Sequence, residues 1–346
     1  MREYELEILN QYDIEIISTR KIRGAFFCET NEGLMLLKEA GISDGRALLL
    51  YQLLCHLAKR GYENVDLPVF TKEQELISTS RDGTRYMLKH WFGGRECDVR
   101  REGDVLEAVR NLGLLHQNMY WDPDAAEEKP KMPPAGRHLK EEFLCHTREL
   151  KKVRAFVRNR RNKGKFEYLF LQHFEKMIRL AVKATEQLEV SGYEALYEQS
   201  ICEKRLIHGD YNYHNVLMPV GTHGAADGWG CKERVATTGF EHFRMDVQVL
   251  DLYYFLRKVM EKHHWNVKFG DAMLEMYSRI CPLSQAEIEY ISLKLSYPEK
   301  FWKVANAYYH SNKAWIPEKS VEKLETAIRQ TEEKMQFVEQ IFAFHL

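Results

Sequence analysis

The stretch His208-Gly209-Asp210-Tyr211-Asn212-Tyr213-His214-Asn215 holds the residue types and spacing that could do chemistry. Phosphoryl transfer needs an acceptor hydroxyl held and deprotonated, a metal ion bridging the nucleotide phosphates, and a cation on those phosphates. Asp210 and Asn215 are five positions apart, directly before the apolar run Val216-Leu217-Met218. That spacing lets one loop aim the Asp210 carboxylate at a hydroxyl proton while the Asn215 amide oxygen meets a magnesium ion. Such a pair also arises by chance, so its meaning rests on the elements around it.

Those elements fall into two parts. Ile14 to Ser18, Gly24 to Thr30 and Leu34 to Lys38 are short β-type runs, with Asn31-Glu32-Gly33 as a hairpin turn between the last two. Ala47 to Arg60 has helical periodicity and stops at Gly61, and Leu76 to Ser80 and Thr84 to Lys89 resume strand character around Arg81-Asp82-Gly83. Beyond Trp91, Gly93-Gly94 reads as a hinge, and nearly everything after Asp98 has helical period. The exception is Arg205 to Phe243, where Val216 to Met218 and Val235 to Phe240 flank a loop, Pro219 to Arg234. The expected fold class is α+β. A small antiparallel β lobe with one helix occupies residues 1–92, and a large, mainly α-helical lobe at 93–346 carries a hairpin at 205–243.

A chain of 346 residues exceeds the size at which one core stops growing, so two lobes are expected. With 45% hydrophobic and 29% charged residues, it is neither disordered nor fibrous. Lys plus Arg (50) nearly cancels Asp plus Glu (51), so no global field recruits nucleic acid or an anionic membrane, and any such role must come from a local patch. Met1 to Asn10 lacks the pattern of a secretory signal, and the longest nearly apolar stretch, Ala47 to Ala58, falls short of the roughly 20 residues that span a bilayer. Cytoplasmic synthesis is expected. The seven Cys have no zinc-type spacing and read as reduced packing thiols.

Taken together, Leu36-Leu37-Lys38, the helix end Leu57 to Gly61, Leu114-Leu115-His116, His208 to Leu217, and Asp246 to Leu252 followed by Phe255-Leu256-Arg257-Lys258 carry a resemblance across nearly the whole chain. The sequence resembles the protein-kinase-like superfamily, in the branch of aminoglycoside and choline phosphotransferases, whose catalytic loop reads HxDxxxxN. Within that branch it resembles the CotS-type spore coat proteins of endospore-forming bacteria. The resemblance implies a two-lobe kinase-like fold. It implies Asp210 as catalytic base, Asn215 as a magnesium ligand, and Lys38 as the strand residue on the α- and β-phosphates. His208 and Asp251 become structural residues, the latter holding the catalytic loop. ATP and Mg2+ are implied as cofactors if the chain is active. The implied partners are other spore coat proteins and a small-molecule acceptor, and the implied location is the spore coat.

Three departures count against activity. Where the family has a metal-binding Asp followed by an aromatic, this chain has Gly239-Phe240-Glu241. Glycine offers no ligand, and loss of a bridging cation costs on the order of several kcal/mol in the barrier. Glu241 is the nearby carboxylate that could substitute: if the strand continues, it shares a face with position 239. The helix after Lys38 lacks the usual Glu, since between Ala40 and Gly61 the only acid is Asp44, placed before the expected helix start. The phosphate loop, Arg20 to Phe26, has one glycine and three basic residues. Two functions follow. The first is a kinase-like spore coat protein, a pseudokinase with weak or absent phosphotransferase activity that acts in coat assembly. The second is an active ATP-dependent small-molecule phosphotransferase with Asp210 as base and Asn215 and Glu241 at magnesium.

Other features have bland readings beside sharp ones. His214 and His116 read as loop and core histidines. Arg148 to Lys165 holds nine basic residues against one acid, Glu149, either a solvated helical face or a polyanion site. Only Phe156 and Phe166 interleave there, so a stacking platform for single strands is not supported and no nucleic-acid specificity is expected. Trp302, Tyr308, Tyr309 and Trp315 read as helix packing or as an aromatic acceptor pocket.

Overall fold

The computed structural model describes residues 7–22, 24–122, 131–219, 235–310 and 317–344. Arg23, Cys231, Trp315 and most of the expected loop at 219–234 lie outside the described residues. By compactness the chain divides into one unit of Met1–Pro134 with Lys204–Met245 and a second of Ala135–Glu203 with Asp246–Leu346. The lobe boundary expected at residue 92 is a different partition, drawn by secondary-structure content.

The first unit is built on a five-stranded antiparallel sheet: β1 (Ile16–Ile22), β2 (Ala25–Thr30), β3 (Gly33–Glu39), β4 (Ser78–Thr79) and β5 (Arg85–His90), in the order β1-β2-β3-β5-β4. Alternation places Phe26, Cys28, Met35, Leu37, Tyr86 and Leu88 in one cluster with Ile8, Leu9 and Tyr12. β1 runs later than its apolar residues suggest. Arg20 to Ile22 pair with Phe27 to Ala25, so most of the expected phosphate loop is strand.

Helix α1 (Asp44–Lys59) follows β3. It starts earlier than its periodicity implies, because Ser43 caps it by accepting from the Arg46 N–H (3.3 Å). Asp44 therefore lies inside the first turn, where it pairs with Arg85 (2.6 Å). Helix α2 (Glu102–His116) buries Val105, Ala108, Leu112 and His116. β6 (Arg95–Glu96), β8 (Val216–Met218) and β9 (Ala236–Thr237) form a second small sheet, and β7 (Leu206–Ile207) pairs with β10 (Arg244–Met245). Residues 205–243, expected as a hairpin, thus form two strand pairs around the loop 208–215.

The second unit is helical: α3 (Leu139–Asn159), α4 (Lys165–Val190), α5 (Tyr193–Cys202), α6 (Val249–Met260), α7 (Val267–Ser278), α8 (Gln285–Ser296), α9 (Glu299–His310) and α10 (Pro317–Phe342). Leu150, Val153 and Val157 of α3 pack with Phe166, Phe170 and Phe174 of α4, Phe301 of α9 and Leu324 of α10. Tyr308 stacks on Phe166 at 3.7 Å, and Trp302 stacks on His146 at 3.4 Å while donating to Glu149. These aromatics pack helices. Asp251 is buried in the first turn of α6. The six described cysteines are free, and no described helix is long and apolar enough to cross a membrane.

Candidate functional site

The chemistry-bearing loop lies wholly within the first unit, between β7 and β8. His208 is fully buried. Its Nδ1 accepts from the Asp210 N–H (3.2 Å), so its proton sits on Nε2, which donates to the Thr238 carbonyl (3.0 Å). Gly209 has φ +80°, and a Cβ there would lie 2.3 Å from the His242 carbonyl oxygen, so only glycine fits. The Asp210 carboxylate is held at both oxygens, Oδ1 by the Asn212 amide (3.0 Å) and Oδ2 by the Asn215 amide (3.1 Å). Both amides also donate to the Asp210 carbonyl. The loop therefore brings His208, Asp210 and Asn215 together as the sequence predicts.

His214 lies in the loop, as its sequence reading has it. Its Nδ1 is 2.6 Å from Glu96 on β6, an orienting carboxylate that no local sequence window shows. His116 is a core histidine, 1% exposed.

Position 239 is closed. Gly239 is left-handed (φ +81°), and a Cβ built on it would lie 3.0 Å from Cγ, Nδ2 and Oδ1 of Asn215. A Cβ there would press on the end of the Asn215 side chain, which would have to give by a few tenths of an ångström. The Gly239 N–H donates to Asp66 Oδ2 (3.0 Å), a carboxylate 2% exposed.

The strand does not continue past this glycine. β9 ends at Thr237, and Phe240–His242 form a 3-10 turn, which removes the premise that Glu241 shares a face with position 239. Glu241 instead meets Lys89 of β5, with Nζ–Oε1 at 2.5 Å, and Lys89 also holds Asp66 at 2.9 Å. The Lys89 side chain is 4% exposed. Burial alone would lower the Lys89 pKa, but the two carboxylates outweigh it and hold it above the usual lysine range. Burial likewise opposes ionisation of Glu241, yet Lys89, with a smaller contribution from Lys38, pulls it down to about 2. Asp66 shifts the other way: full burial and the Glu241 charge raise it against the pull of Lys89.

Two further cations complete the surroundings. Arg46 of α1 donates from Nε and Nη2 to the Glu241 carbonyl, donates to the Phe243 carbonyl, and lies 3.8 Å above the Phe243 ring. Lys38 projects from the same sheet face as Lys89, since it sits two residues from Leu36, the cross-strand partner of Lys89. Lys38 is exposed and makes no hydrogen bond or ion pair with the described residues.

Asp66, Lys89 and Arg46 were missed in the sequence. The available signal was a lone charge inside an apolar run, Val65-Asp66-Leu67 and Tyr86-Met87-Leu88-Lys89, because buried Asp and Lys occur almost only in pairs.

Does this donor set fit magnesium? Asn215 is in place, but position 239 has no side chain and Glu241 is committed to a buried lysine. Among the described residues no three His, Cys, Asp or Glu side chains converge as a metal site. A hard cation that needs several oxygens at near-octahedral geometry is not provided for, and the residues present do not fit the ion.

No family model matches the sequence. Spore coat protein S of Bacillus subtilis (strain 168) is 25% identical over 97% of this chain and 93% of its own length. An aminoglycoside phosphotransferase from Alicyclobacillus acidocaldarius superposes with a TM-score of 0.80 at 18% identity, over 97% of this chain and 94% of that one. Spectinomycin phosphotransferase, solved with ADP and spectinomycin, gives 0.62 at 13% identity over 95% and 97% of the two chains. A microcompartment-associated aminopropanol kinase gives 0.54 at 12% identity over 97% of each. The chain has the fold of the aminoglycoside phosphotransferases and is similar along nearly its whole length to Spore coat protein S.

Proposed function

We propose that this chain is a spore coat component, a pseudokinase in which the phosphotransfer centre is closed and the fold serves binding and assembly with other coat proteins. One observation carries the reading. The carboxylate that could replace the missing metal ligand is paired with buried Lys89, while position 239 carries no side chain and lies tight against Asn215. Similarity to a spore coat protein over 97% of the chain supports the coat role. A transfer assay with ATP, magnesium and a panel of amino alcohols and aminoglycosides tests the catalytic part. Turnover at the solvent background, unchanged in Asp210→Asn, is expected. A rate in the ordinary kinase range, about 1–100 per second, abolished in Asp210→Asn, would overturn it.

The intact geometry of His208, Asp210 and Asn215 favours a second reading, a working small-molecule phosphotransferase that uses ATP and Mg2+. It requires Glu241 to leave Lys89 and reach a metal with Asn215, so Glu241→Gln should then nearly abolish turnover.

A further inference from the structure

Of the nine basic residues in Arg148 to Lys165, some are spoken for. Arg154 pairs with Glu175, Arg160 with Glu167, Lys165 with Glu325 at 2.9 Å, and Lys163 donates to the Arg160 carbonyl. Arg148, Lys151, Lys152, Arg158 and Arg161 are exposed, and none has a carboxylate in ion-pair range among the described residues. Leu150, Val153 and Val157 point into the core of the second unit. At 100° per residue, Arg148, Lys151, Lys152, Ala155 and Arg158 fall within an arc of about 120° on the opposite side of α3, spread over about 15 Å of helix.

Beside this stripe lies an exposed aromatic pair. Phe156 (46% exposed) meets Tyr309 of α9 (40% exposed) edge to face at 5.2 Å, and the Arg160 guanidinium sits 5.8 Å from the Phe156 ring. Aromatic and Arg side chains are the types that anchor protein interfaces. Like charges at helical spacing repel one another, and an acidic partner removes that cost.

We propose that the outer face of α3 is a docking surface for an acidic segment of a partner protein that presents Asp or Glu at helical spacing, with an apolar residue against Phe156 and Tyr309. Charge complementarity names the partner's chemistry. A protein rather than a nucleic acid is favoured because the chain, at net charge −1, has no field to hold a polyanion over a larger footprint, and one aromatic pair is no stacking platform. Such docking is independent of phosphate transfer.

The test uses the full chain and two fluorescent probes, a Glu-rich helical peptide and a single-stranded oligonucleotide of matched charge, with binding read by anisotropy at low and physiological salt. The triple reversal Arg148→Glu, Lys151→Glu, Lys152→Glu should weaken peptide binding by about tenfold or more. The control reversal Lys183→Glu, Lys319→Glu, Lys323→Glu, with the same change of net charge on exposed residues of α4 and α10, should leave it within about twofold of native. Phe156→Ala should weaken binding without changing its salt dependence, and it keeps the test open if the triple reversal fails to fold. Equal losses in the two triple variants, no loss in either, or tighter binding of the oligonucleotide than of the peptide would overturn the proposal.

Discussion

A side chain at position 239 would have to push Asn215 by a few tenths of an ångström, against an amide fixed on both the carboxylate and the carbonyl of Asp210. The left-handed backbone there adds about 1–2 kcal/mol for most L-residues, and less for Asp, whose short polar side chain tolerates it. Placing an aspartate here by Gly239→Asp is therefore expected to lower thermal stability and not to create magnesium-dependent nucleotide binding. A gain of binding, read by calorimetry, would show that Asn215 yields readily. Lys89 supports a second prediction. Removing it as Lys89→Met leaves Asp66 and Glu241 as two facing carboxylates, and breaking a buried pair costs about 3–5 kcal/mol. The sign of the pH dependence follows from the shifts. Glu241, held down to about 2, stabilises the fold above the ordinary carboxylate range near ~4.3, and that contribution disappears as pH falls towards 2. Lys89, held up, stabilises below its ordinary ~10.4, and its contribution is lost only above that value. Raised Asp66 works against both, favouring the fold as it protonates. The Lys89→Met deficit should thus be largest near neutrality and shrink below about pH 5 as the carboxylates protonate. A deficit in chemical denaturation that is constant with pH would contradict the electrostatic account.

Among the elements, α1 supplies Arg46, which fastens the turn after Gly239 through two carbonyls and a ring. Arg46→Ala should speed amide exchange in residues 239–243 by about tenfold while sparing β2 and β3; uniform protection in native and variant would show the contact to be idle. Ser43→Ala, which removes the cap that starts the helix at Asp44, should cost about 1 kcal/mol by thermal unfolding. How much of this was legible follows from where the information sits. His208, Asp210 and Asn215 lie within one loop, so a single sequence window holds them, and the resemblance supplies their roles. β2, β3 and β5 alternate cleanly and were found. β1 was placed too early because the charged run Arg20-Lys21 looked like loop, although its pairing to β2 makes it strand. The role assigned to Glu241 rested on a strand that ends two residues before Gly239.

Over the whole molecule, the closed site is a non-local object. Lys89 and Glu241 are 152 positions apart, and Asp66 and Gly239 are 173 apart, so no periodicity or motif links them; only the folded sheet does. Global resemblance was the more readable property, since stretches across nearly the whole chain point to the fold shared with the aminoglycoside phosphotransferase at a TM-score of 0.80. Fold does not carry function, and the same scaffold holds phosphotransferases and, by similarity, a spore coat protein. The most direct test of the central claim is titration calorimetry of ATP, with and without magnesium, on the native chain and on Lys38→Ala. The closed centre predicts no magnesium-dependent binding in either protein. Tight binding that needs magnesium and is lost in Lys38→Ala would contradict it, and would mean that Glu241 leaves Lys89 when the nucleotide arrives.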